Sequence, residues 1–387
     1  MATLRGWWPL VSTGVLVVVA SLLSQLTPVG VQFQVRFALV VLVIVLALYV
    51  FIGNSGVLSF GHVSFVAAGA FSAGLLTVTP ALKASTMPDL FPILADTEIS
   101  PTLSLVVGAA VGGVMALVVA LPLMRLSGLA AGIATFAVLA ITLNVLRNWE
   151  RVGPGARTIT AIPRSDSLLQ LTVAALVVLT IAFVYQRSRF GRRMRAARED
   201  PYAAAATGIS IYGQRVLAFT LSGVIAGFGG AQLSHLQGSM NTNQVGLDLT
   251  LVTLAMLVVG GIGSLWGAVA GTGLVSFLNS FLSEAEQGLS LVGLVELELP
   301  AGTRPLIVSG VMVLALLLRP TGLTRGQEFP WPGVLNRLGR VGSVRSRILS
   351  PGSAGLPPRA DRPAAADTAQ PHPLATPRAP EPELPHE

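Results

Sequence analysis

The sequence predicts an all-α membrane protein, a polytopic bundle of about ten transmembrane helices followed by a tail with no folded core. Of its 387 residues 52% are hydrophobic and 11% are charged, whereas a soluble domain carries about 25% charged residues. The apolar residues fall in runs of about 20, the length that a helix needs to cross a hydrocarbon core about 30 Å thick. The strict alternation of a barrel strand is absent from these runs, so the spans are predicted to be helices, which satisfy their own backbone hydrogen bonds.

The apolar runs place the predicted spans in order along the chain. They are 9–28, 34–52, 57–79, 103–124, 127–146, 168–186, 215–236, 248–264, 266–283 and 304–319. The first run follows Arg5, as in a signal peptide, but no Ala-x-Ala cleavage site comes after it. We therefore expect a retained anchor.

Arginines set the predicted orientation. The connection between the sixth and seventh spans holds Arg187, Arg189, Arg192, Arg193, Arg195 and Arg198, so the positive-inside rule places it in the cytoplasm. Counting spans outward then puts both termini in the cytoplasm and the acidic loops 80–102 and 284–303 outside. Loop 147–167 departs from the rule, because its four arginines are predicted to lie outside.

A change of composition near residue 323 predicts two regions, a membrane domain over 1–323 and a tail over 324–387. The tail is rich in Pro, Ala and Arg, with Pro-Pro at 357–358. It contains too little apolar surface to offset the entropy of ordering, so we expect it to be disordered in the cytoplasm.

Missing residue types exclude several classes of function. The chain has no cysteine, which excludes disulfides, thiolate metal sites and thiol nucleophiles. Lys83, its only lysine, stands in Ala-Leu-Lys-Ala, so there is no Gly-Lys-Ser/Thr loop to bind nucleotide phosphates. The net charge of +7 does not indicate nucleic acid, since the arginines lie beside apolar spans and in the tail. We expect no metal site and no cofactor on this chain.

A first informative segment opens the third predicted span with glycine and serine, from Asn54-Ser55-Gly56 through Ser59-Phe60-Gly61-His62-Val63-Ser64. Such a start allows a helix to begin late within the membrane and to expose backbone N–H groups to an anionic group. Close packing of helices is the other interpretation. Asn54, Ser59, His62 and Ser64 are the substrate-pathway candidates. His62 has no second ligand nearby, so we expect a hydrogen-bonded structural histidine.

A second segment follows the arginines of the cytoplasmic connection. Pro201 suits a first helical turn after Glu199-Asp200, and Gly208 suits a C-terminal stop. These signals predict a surface helix of about two turns, available to dock into a partner. An ordinary amphipathic connector is the alternative.

A third segment breaks an apolar run with five glycines between positions 260 and 271. A tight turn between two helices is predicted at Gly260, Gly261, Gly263 and Gly267, and a flexible gate is the alternative.

Four stretches carry a resemblance to a known family. Residues 56–62 match a Gly-x-Leu-Ser-Phe-Gly-His/Gln pattern. A Gly-Arg-x-x-x-Ala-x-Arg-Asp/Glu loop is matched by Gly191, Arg192, Ala196, Arg198 and Glu199. After it, Ala205 and Gly208 stand at the alanine and glycine of an EAA-type coupling helix. Gly260, Gly261, Gly263, Ser264 and Gly267 match Gly-Gly-x-Gly-Ser-x-x-Gly, and residues 319–323 match Arg-Pro-x-Gly-Leu. In this order the stretches resemble the permease family of branched-chain amino-acid ABC importers, in particular its longer, LivM-like member.

The resemblance implies a permease subunit of the bacterial inner membrane that imports branched-chain or related hydrophobic amino acids. It implies that Arg192, Arg198, Glu199, Ala205 and Gly208 couple the chain to cytoplasmic ATPase subunits, which bind and hydrolyse the ATP, so this chain is not itself an enzyme. A second permease and an extracytoplasmic solute-binding protein are the other implied partners.

Two further transport functions stay open. Urea-importer permeases share most of these motifs, so a urea or amide solute is an alternative. No Asp or Glu lies inside a predicted span, and Asp248 lies only at the edge of one, which speaks against a proton-coupled carrier. A sodium-coupled carrier that uses backbone carbonyls at broken helices is still possible. The absence of Gly-x-Ser-x-Gly speaks against an intramembrane serine protease.

Overall fold

The computed structural model of the chain describes residues 2–153, 155, 157–165, 167–286, 289–291 and 295–297, with separate residues between 307 and 328. All of them belong to Met1–Pro332, the first of the two units into which the chain divides. The predicted tail therefore lies outside the described residues, apart from Thr324 and Glu328.

The described chain is built from helices, which confirms the all-α prediction, and one small hairpin is added to them. The helices are α1 Ala2–Ser24, α2 Val29–Leu48 with a π-helical extension Tyr49–Gly53, α3 His62–Thr77, α4 Pro80–Thr86, α5 Pro92–Asp96, α6 Pro101–Leu123, α7 Gly128–Asn148, α8 Leu168–Arg187, α9 Arg189–Glu199, α10 Pro201–Ala206, α11 Ile211–Gln237, α12 Leu247–Gly260 and α13 Leu265–Glu286. Strands β1 Leu289–Leu291 and β2 Val295–Leu297 pair antiparallel, with Ser290 opposite Glu296.

The predicted number of ten spans is not confirmed. Seven described helices are long and apolar enough to cross a membrane, and there are eight if α3 and α4, which meet at a bend of 112°, form one span. α12 has 14 residues, so it measures about 21 Å and is shorter than a bilayer core. The predicted span 304–319 lies largely outside the described residues.

α11 occupies the centre of the bundle, where it packs against α2, α3 and α6. The second half of α2 is apolar on every side, and its residues from Leu39 to Leu48 are all buried. A helix that is hydrophobic all round belongs in the interior of a bundle. α2 and α11 thus form the core that fixes the positions of the loops at both ends.

The bundle has two ends that differ in composition. The arginine end consists of α9, α10, the end of α2 and the turn between α12 and α13. α1 begins at the same end, because the ring of Trp7 lies 5.4 Å from that of Phe183, near the end of α8. Leu323 lies there too, since its N–H donates to the carbonyl of Val259. The far end holds residues 78–100, the α7–α8 connection and residues 238–246. Both ends of the described chain therefore lie at the arginine end.

The arginines of loop 147–167 lie at the far end, and three of the four bind neighbouring groups there. Arg147 donates to Thr242 Oγ1 and Asn243 Oδ1 at 3.1 and 2.9 Å. Arg157 donates to the carbonyl of Thr86 at 3.1 Å, and Arg164 to that of Gln237 at 3.3 Å. These contacts join the loop to its neighbours. The three arginines therefore have a structural role at an end of the bundle where the positive-inside rule does not predict arginines.

Candidate functional site

The informative segments of the sequence meet at the end of α2, around Gly53. Arg198 of α9 donates from Nη1 to the carbonyl of Gly53 at 2.9 Å, and its aliphatic stem lies against Gly56. On another side Gly53 packs against the carbonyl of Ile262 so closely that a Cβ atom would lie 2.9 Å from that oxygen. The arginine segment, the third segment and the stretch that precedes α3 are therefore in contact at one place.

α10 is the short helix that the sequence predicts after the arginines. Asp200 Oδ1 caps it by accepting from the N–H groups of Tyr202 and Ala203 at 2.9 and 3.0 Å. It ends before Gly208, whose φ of +80° is in the left-handed region that favours glycine. Ala204 is buried, whereas Tyr202 is 89% exposed and the rest of the helix is exposed. α10 thus presents most of its surface outward.

The predicted coupling residues do not all lie in one environment. Arg198 contacts the end of α2, whereas Arg192 donates to the carbonyl of Arg187 at 2.6 Å and so bonds to the end of the preceding helix. Glu199, Ala205 and Gly208 are exposed. A Cβ atom added at Gly208 would meet nothing within 4 Å in this chain. α9 itself is anchored by Gly191, Met194 and Ala197, which are buried.

The predicted glycine turn joins α12 to α13. α12 ends at Gly260, and α13 starts at Leu265, with Gly261 at φ +117° and Gly263 between them. Gly260 lies directly against the backbone of Gly267 in α13, so the two helices are in close contact beside the turn. The segment is a tight turn in this structure.

Two described residues beyond the last predicted span, Thr324 and Glu328, bond to this turn. Thr324 donates from N and from Oγ1 to the carbonyl of Gly260 at 3.2 and 2.9 Å. The Glu328 carboxylate accepts from the N–H groups of Leu265 and Trp266 at 2.8 and 3.2 Å, where α13 begins. Sequence reasoning placed both residues in the tail and missed them. They lie more than sixty positions from the turn, and no spacing rule joins them to it.

The substrate-pathway candidates of the third span form a buried polar group. Ser59 Oγ and His62 Nδ1 lie 2.7 Å apart, and Ser64 Oγ donates to the carbonyl of Gly61. Asn54 donates to the carbonyl of Val50 at 3.0 Å, closer to the arginine end. All four side chains are buried.

An aromatic shell surrounds the imidazole of His62. The rings of Phe51, Phe65 and Phe219 lie 5.1 to 5.8 Å from it. His62 Nε2 and Asn54 Oδ1 have no hydrogen-bond partner among the described residues. The structure therefore gives His62 one hydroxyl partner and leaves its second nitrogen available.

Sequence reasoning missed a cavity of about 350 Å³ between α1, α2 and α13. Its walls are mostly aliphatic, including Val35, Leu39 and Val269, and its polar groups are Gln34, Thr272, Ser276 and Ser280. The three hydroxyl residues follow one another at intervals of four and so share one face of α13. That spacing was the signal in the sequence that could have indicated the cavity.

Gln232 and Lys83 are two of the further polar side chains that are buried, and the sequence did not predict their burial. Gln232 of α11 is 1% exposed, and within the described part of the chain neither of its amide atoms has a partner. Lys83 donates from Nζ to the carbonyls of Leu94 and Thr97 at 2.9 and 2.6 Å, and so holds α4 against α5 at the far end.

The sequence of the chain matches a known protein family. The family model described as branched-chain amino acid transport system / permease component matches residues 30–318. The high-affinity branched-chain amino acid transport system permease protein LivM of Escherichia coli (strain K12) is 24% identical over 319 residues, covering 74% of this chain and 68% of that protein.

Two other relatives match over shorter lengths. The autoinducer 2 import system permease protein LsrC of Klebsiella pneumoniae is 30% identical over 199 residues, which are 48% of this chain and 54% of that protein. The high-affinity branched-chain amino acid transport system permease protein LivH of Escherichia coli (strain K12) is 31% identical over 153 residues, 40% of this chain and 44% of that protein. No solved structure matches the chain.

Proposed function

Since this chain belongs to the branched-chain amino acid transport system permease family, we propose that it is the membrane-spanning subunit of an ATP-driven importer. In this proposal it moves branched-chain or related hydrophobic amino acids inward through the bacterial inner membrane. The energy comes from ATP hydrolysed on separate cytoplasmic subunits. A second permease completes the passage, and an extracytoplasmic binding protein delivers the solute.

The observation that carries the coupling part of the proposal is the bond from Arg198 to Gly53. α10 is exposed and can be held by another protein, and it is joined to α9 through the capping residue Asp200. α9 is joined through Arg198 to the place where α2 ends and the chain turns toward α3. A movement of α10 imposed from outside would therefore be transmitted directly to the interior of the bundle.

The chemistry of this chain supports a separate source of energy. Its only lysine, Lys83, is held by two carbonyl groups at the far end, away from the arginine end. A nucleotide phosphate loop requires a lysine next to a glycine-rich turn. We place the arginine end in the cytoplasm, where the ATPase subunits would reach α10, because six arginines lie between residues 187 and 198.

The cavity between α1, α2 and α13 supports the proposed class of solute. Its aliphatic walls suit a branched side chain, and its hydroxyl and amide groups suit a carboxylate or an ammonium group. Among the described residues Ser276, Ser280 and Gln34 make no hydrogen bond, so their polar groups are available. Urea has no aliphatic side chain to fill such walls. The buried group Asn54, Ser59, His62 and Ser64 stays a second proposed part of the passage.

Reconstitution tests the proposal. Full-length protein is placed in proteoliposomes with its co-expressed permease and ATPase subunits and with binding protein outside, and uptake of radiolabelled leucine and of urea is measured. We expect leucine uptake that requires enclosed ATP and that ends when the ATPase subunits are omitted. Uphill uptake by this chain alone, driven by a sodium gradient, would support the carrier instead, and uptake of urea in place of leucine would change the proposed solute.

A further inference from the structure

A long groove on the outer surface of the bundle has no role in the proposed transport cycle. It has a volume of about 920 Å³ and runs between α6, α8 and α11, with Leu117, Ile181, Val184, Leu217 and Val224 among its walls. We propose that this α8–α11 groove binds an anionic phospholipid, with an acyl chain in the groove and the phosphate at the arginine end.

The length of the groove suits one leaflet of a bilayer. Its α11 wall runs from Tyr212, near the arginine end, to Val224. Twelve helical residues extend about 18 Å, and one leaflet contributes about half of a 30 Å hydrocarbon core. The aliphatic residues of the wall are exposed along this length, as in a surface that meets acyl chains.

The end of the groove near the arginines is built like the boundary between hydrocarbon and headgroups. Phe190 and Tyr212 line it there, and the Tyr212 hydroxyl donates to the carbonyl of Leu121 at 2.8 Å. Tyr185 lines it as well, and its buried phenol oxygen has no hydrogen-bond partner within the described chain. Aromatic side chains with polar tips prefer this depth in membrane proteins.

Guanidinium groups stand on both walls of that end. Arg125, which follows α6, lies over the ring of Tyr212 at 5.9 Å. On the other wall Arg189 precedes Phe190, and Arg193 follows it by three residues, so that Arg193 and Phe190 are neighbours on the surface of α9. Guanidinium groups at this depth bind phosphate oxygens of lipid headgroups.

These three arginines differ from their neighbours because their N–H groups have no hydrogen-bond partner among the described residues. Arg192, Arg195 and Arg198 each donate to a main-chain carbonyl. Arg125, Arg189 and Arg193 are exposed and make no hydrogen bond or ion pair with another described residue. Of the acidic groups at this end, Asp200 caps α10, Glu328 caps α13, and Glu199 at the end of α9 is exposed. Six arginines between residues 187 and 198 outnumber these carboxylates, so the end of the groove has an excess of positive charge that favours an anion.

This charge favours a lipid over a protein helix as the occupant. A helix of a second permease could cover the aliphatic walls, but it would also have to place carboxylates beside three guanidinium groups on two walls of the groove. An anionic phospholipid carries its acyl chain and its phosphate in the order in which the groove presents its aliphatic walls and its arginines. The inference does not depend on which solute the protein carries.

The test measures lipid binding to the full-length protein. Retention of phosphatidylglycerol and of phosphatidylcholine is compared by native mass spectrometry and by stabilisation against heat in detergent. We expect phosphatidylglycerol to bind more tightly. Replacing one guanidinium should weaken that binding about fivefold, as expected for one basic group near an anionic surface, so Arg193→Gln should lose about fivefold and Arg189→Gln/Arg193→Gln about thirtyfold. Leu217→Trp, which narrows the groove, should weaken binding of both lipids.

Arg151→Gln is the matched control, because it removes one exposed guanidinium at the far end. Equal retention of the two lipids by the unchanged protein would overturn the proposal, as would equal losses in Arg193→Gln and Arg151→Gln. The chain has no cysteine, so Val184→Cys gives a single thiol in the groove. Cross-linking of that thiol to a co-expressed permease would show that protein covers the groove and would also overturn the proposal.

Discussion

Arg198 joins parts of the chain that are 145 residues apart, and it does so through a main-chain carbonyl. A guanidinium that donates to a carbonyl makes a stronger hydrogen bond than two neutral groups do. Its stem also fills the space above Gly56, so that the contact includes packing as well as charge. The connection of α9 and α10 to the end of α2 therefore depends on this one side chain.

Replacing Arg198 by methionine should uncouple transport while the protein remains in the membrane. Methionine keeps the apolar stem and loses the donor. We expect ATP-driven leucine uptake to fall at least about fivefold, as for a coupling energy of about 1 kcal/mol or more. Arg195→Met is the control, since Arg195 is not among the predicted coupling residues and, among the described residues, its guanidinium bonds only to the carbonyl of Gln186 at the end of the neighbouring helix. Equal losses in the two variants would show that charge, and not the contact with Gly53, matters.

Gly208 provides a test of docking that spares the structure of this chain. A side chain there meets nothing within 4 Å, although φ is +80°. Asparagine tolerates that φ better than most residues do, so Gly208→Asn should keep most of the uptake. Gly208→Asp has nearly the same shape but buries a charge in a docked partner, and it should reduce uptake more than about tenfold, as should Ala205→Glu. Membrane levels of all variants are measured by immunoblot. Normal uptake by Gly208→Asp would exclude docking at this position.

The candidate site was predictable from the sequence where the interacting residues are close along the chain. Ser59 and His62 are three positions apart, and the N-cap Asp200 precedes its helix directly, so local rules indicate both. The contacts Arg198–Gly53 and Glu328–Leu265 could not be derived in the same way. The acceptor for Arg198 is the carbonyl of Gly53, and the donor to Glu328 is the N–H of Leu265. Such backbone groups are nearly the same in every residue, so the sequence does not indicate which of them will be bound.

At the scale of helices, the centre of the bundle depends on contact between backbones. α11 meets α6 through Gly227 and Gly112, where a Cβ on Gly227 would lie 2.9 Å from Gly112 Cα and nearer still to the carbonyl oxygen of Gly108. Small residues permit such contact in membranes, where burial of apolar surface gives little preference for one helix pair over another.

Gly227→Ala should therefore destabilise the bundle. The added methyl group pushes α6 and α11 apart, at a cost of about 1–3 kcal/mol for overpacking, which thermal unfolding in detergent measures as a lowered midpoint. Gly273→Ala is the matched control, because a Cβ at this helical position meets nothing within 4 Å. Alanine is also the better helix former, so the control should be unchanged or slightly more stable. A similar loss in both variants would contradict this account of the packing.

Helices were predictable from the sequence in type and approximate place, because long apolar runs in a membrane protein have few alternatives. The breaks were harder to predict. α3 begins at His62, five residues later than predicted, and the chain bends by 112° before α4. Residues 56–61 are held outside a helix by contacts with other elements, such as the bond from the Phe60 N–H to Thr135 Oγ1 at 3.1 Å. Such contacts exist only in the folded bundle.

The two ends of the bundle differ in how many arginines a single connection carries. Six lie between residues 187 and 198 at the arginine end, whereas four are spread over loop 147–167 at the far end. Arginines near the ends of spans oppose translocation during insertion, and a concentration of six in one connection outweighs a more scattered set. The proposed orientation, with α10 in the cytoplasm, follows from this asymmetry.

Single cysteines test the orientation, because the unchanged chain contains none and gives no background. Tyr202 is 89% exposed at the arginine end, and Ile93 is 81% exposed at the far end. In intact spheroplasts a membrane-impermeant maleimide should label Ile93→Cys and leave Tyr202→Cys unlabelled, and permeabilised cells should show both. If Tyr202→Cys were labelled from outside, α10 would face away from every cytoplasmic ATPase. The coupling proposal would then fail even though the fold and the family were unchanged, because the helix that must receive the motor would lie on the wrong side of the membrane.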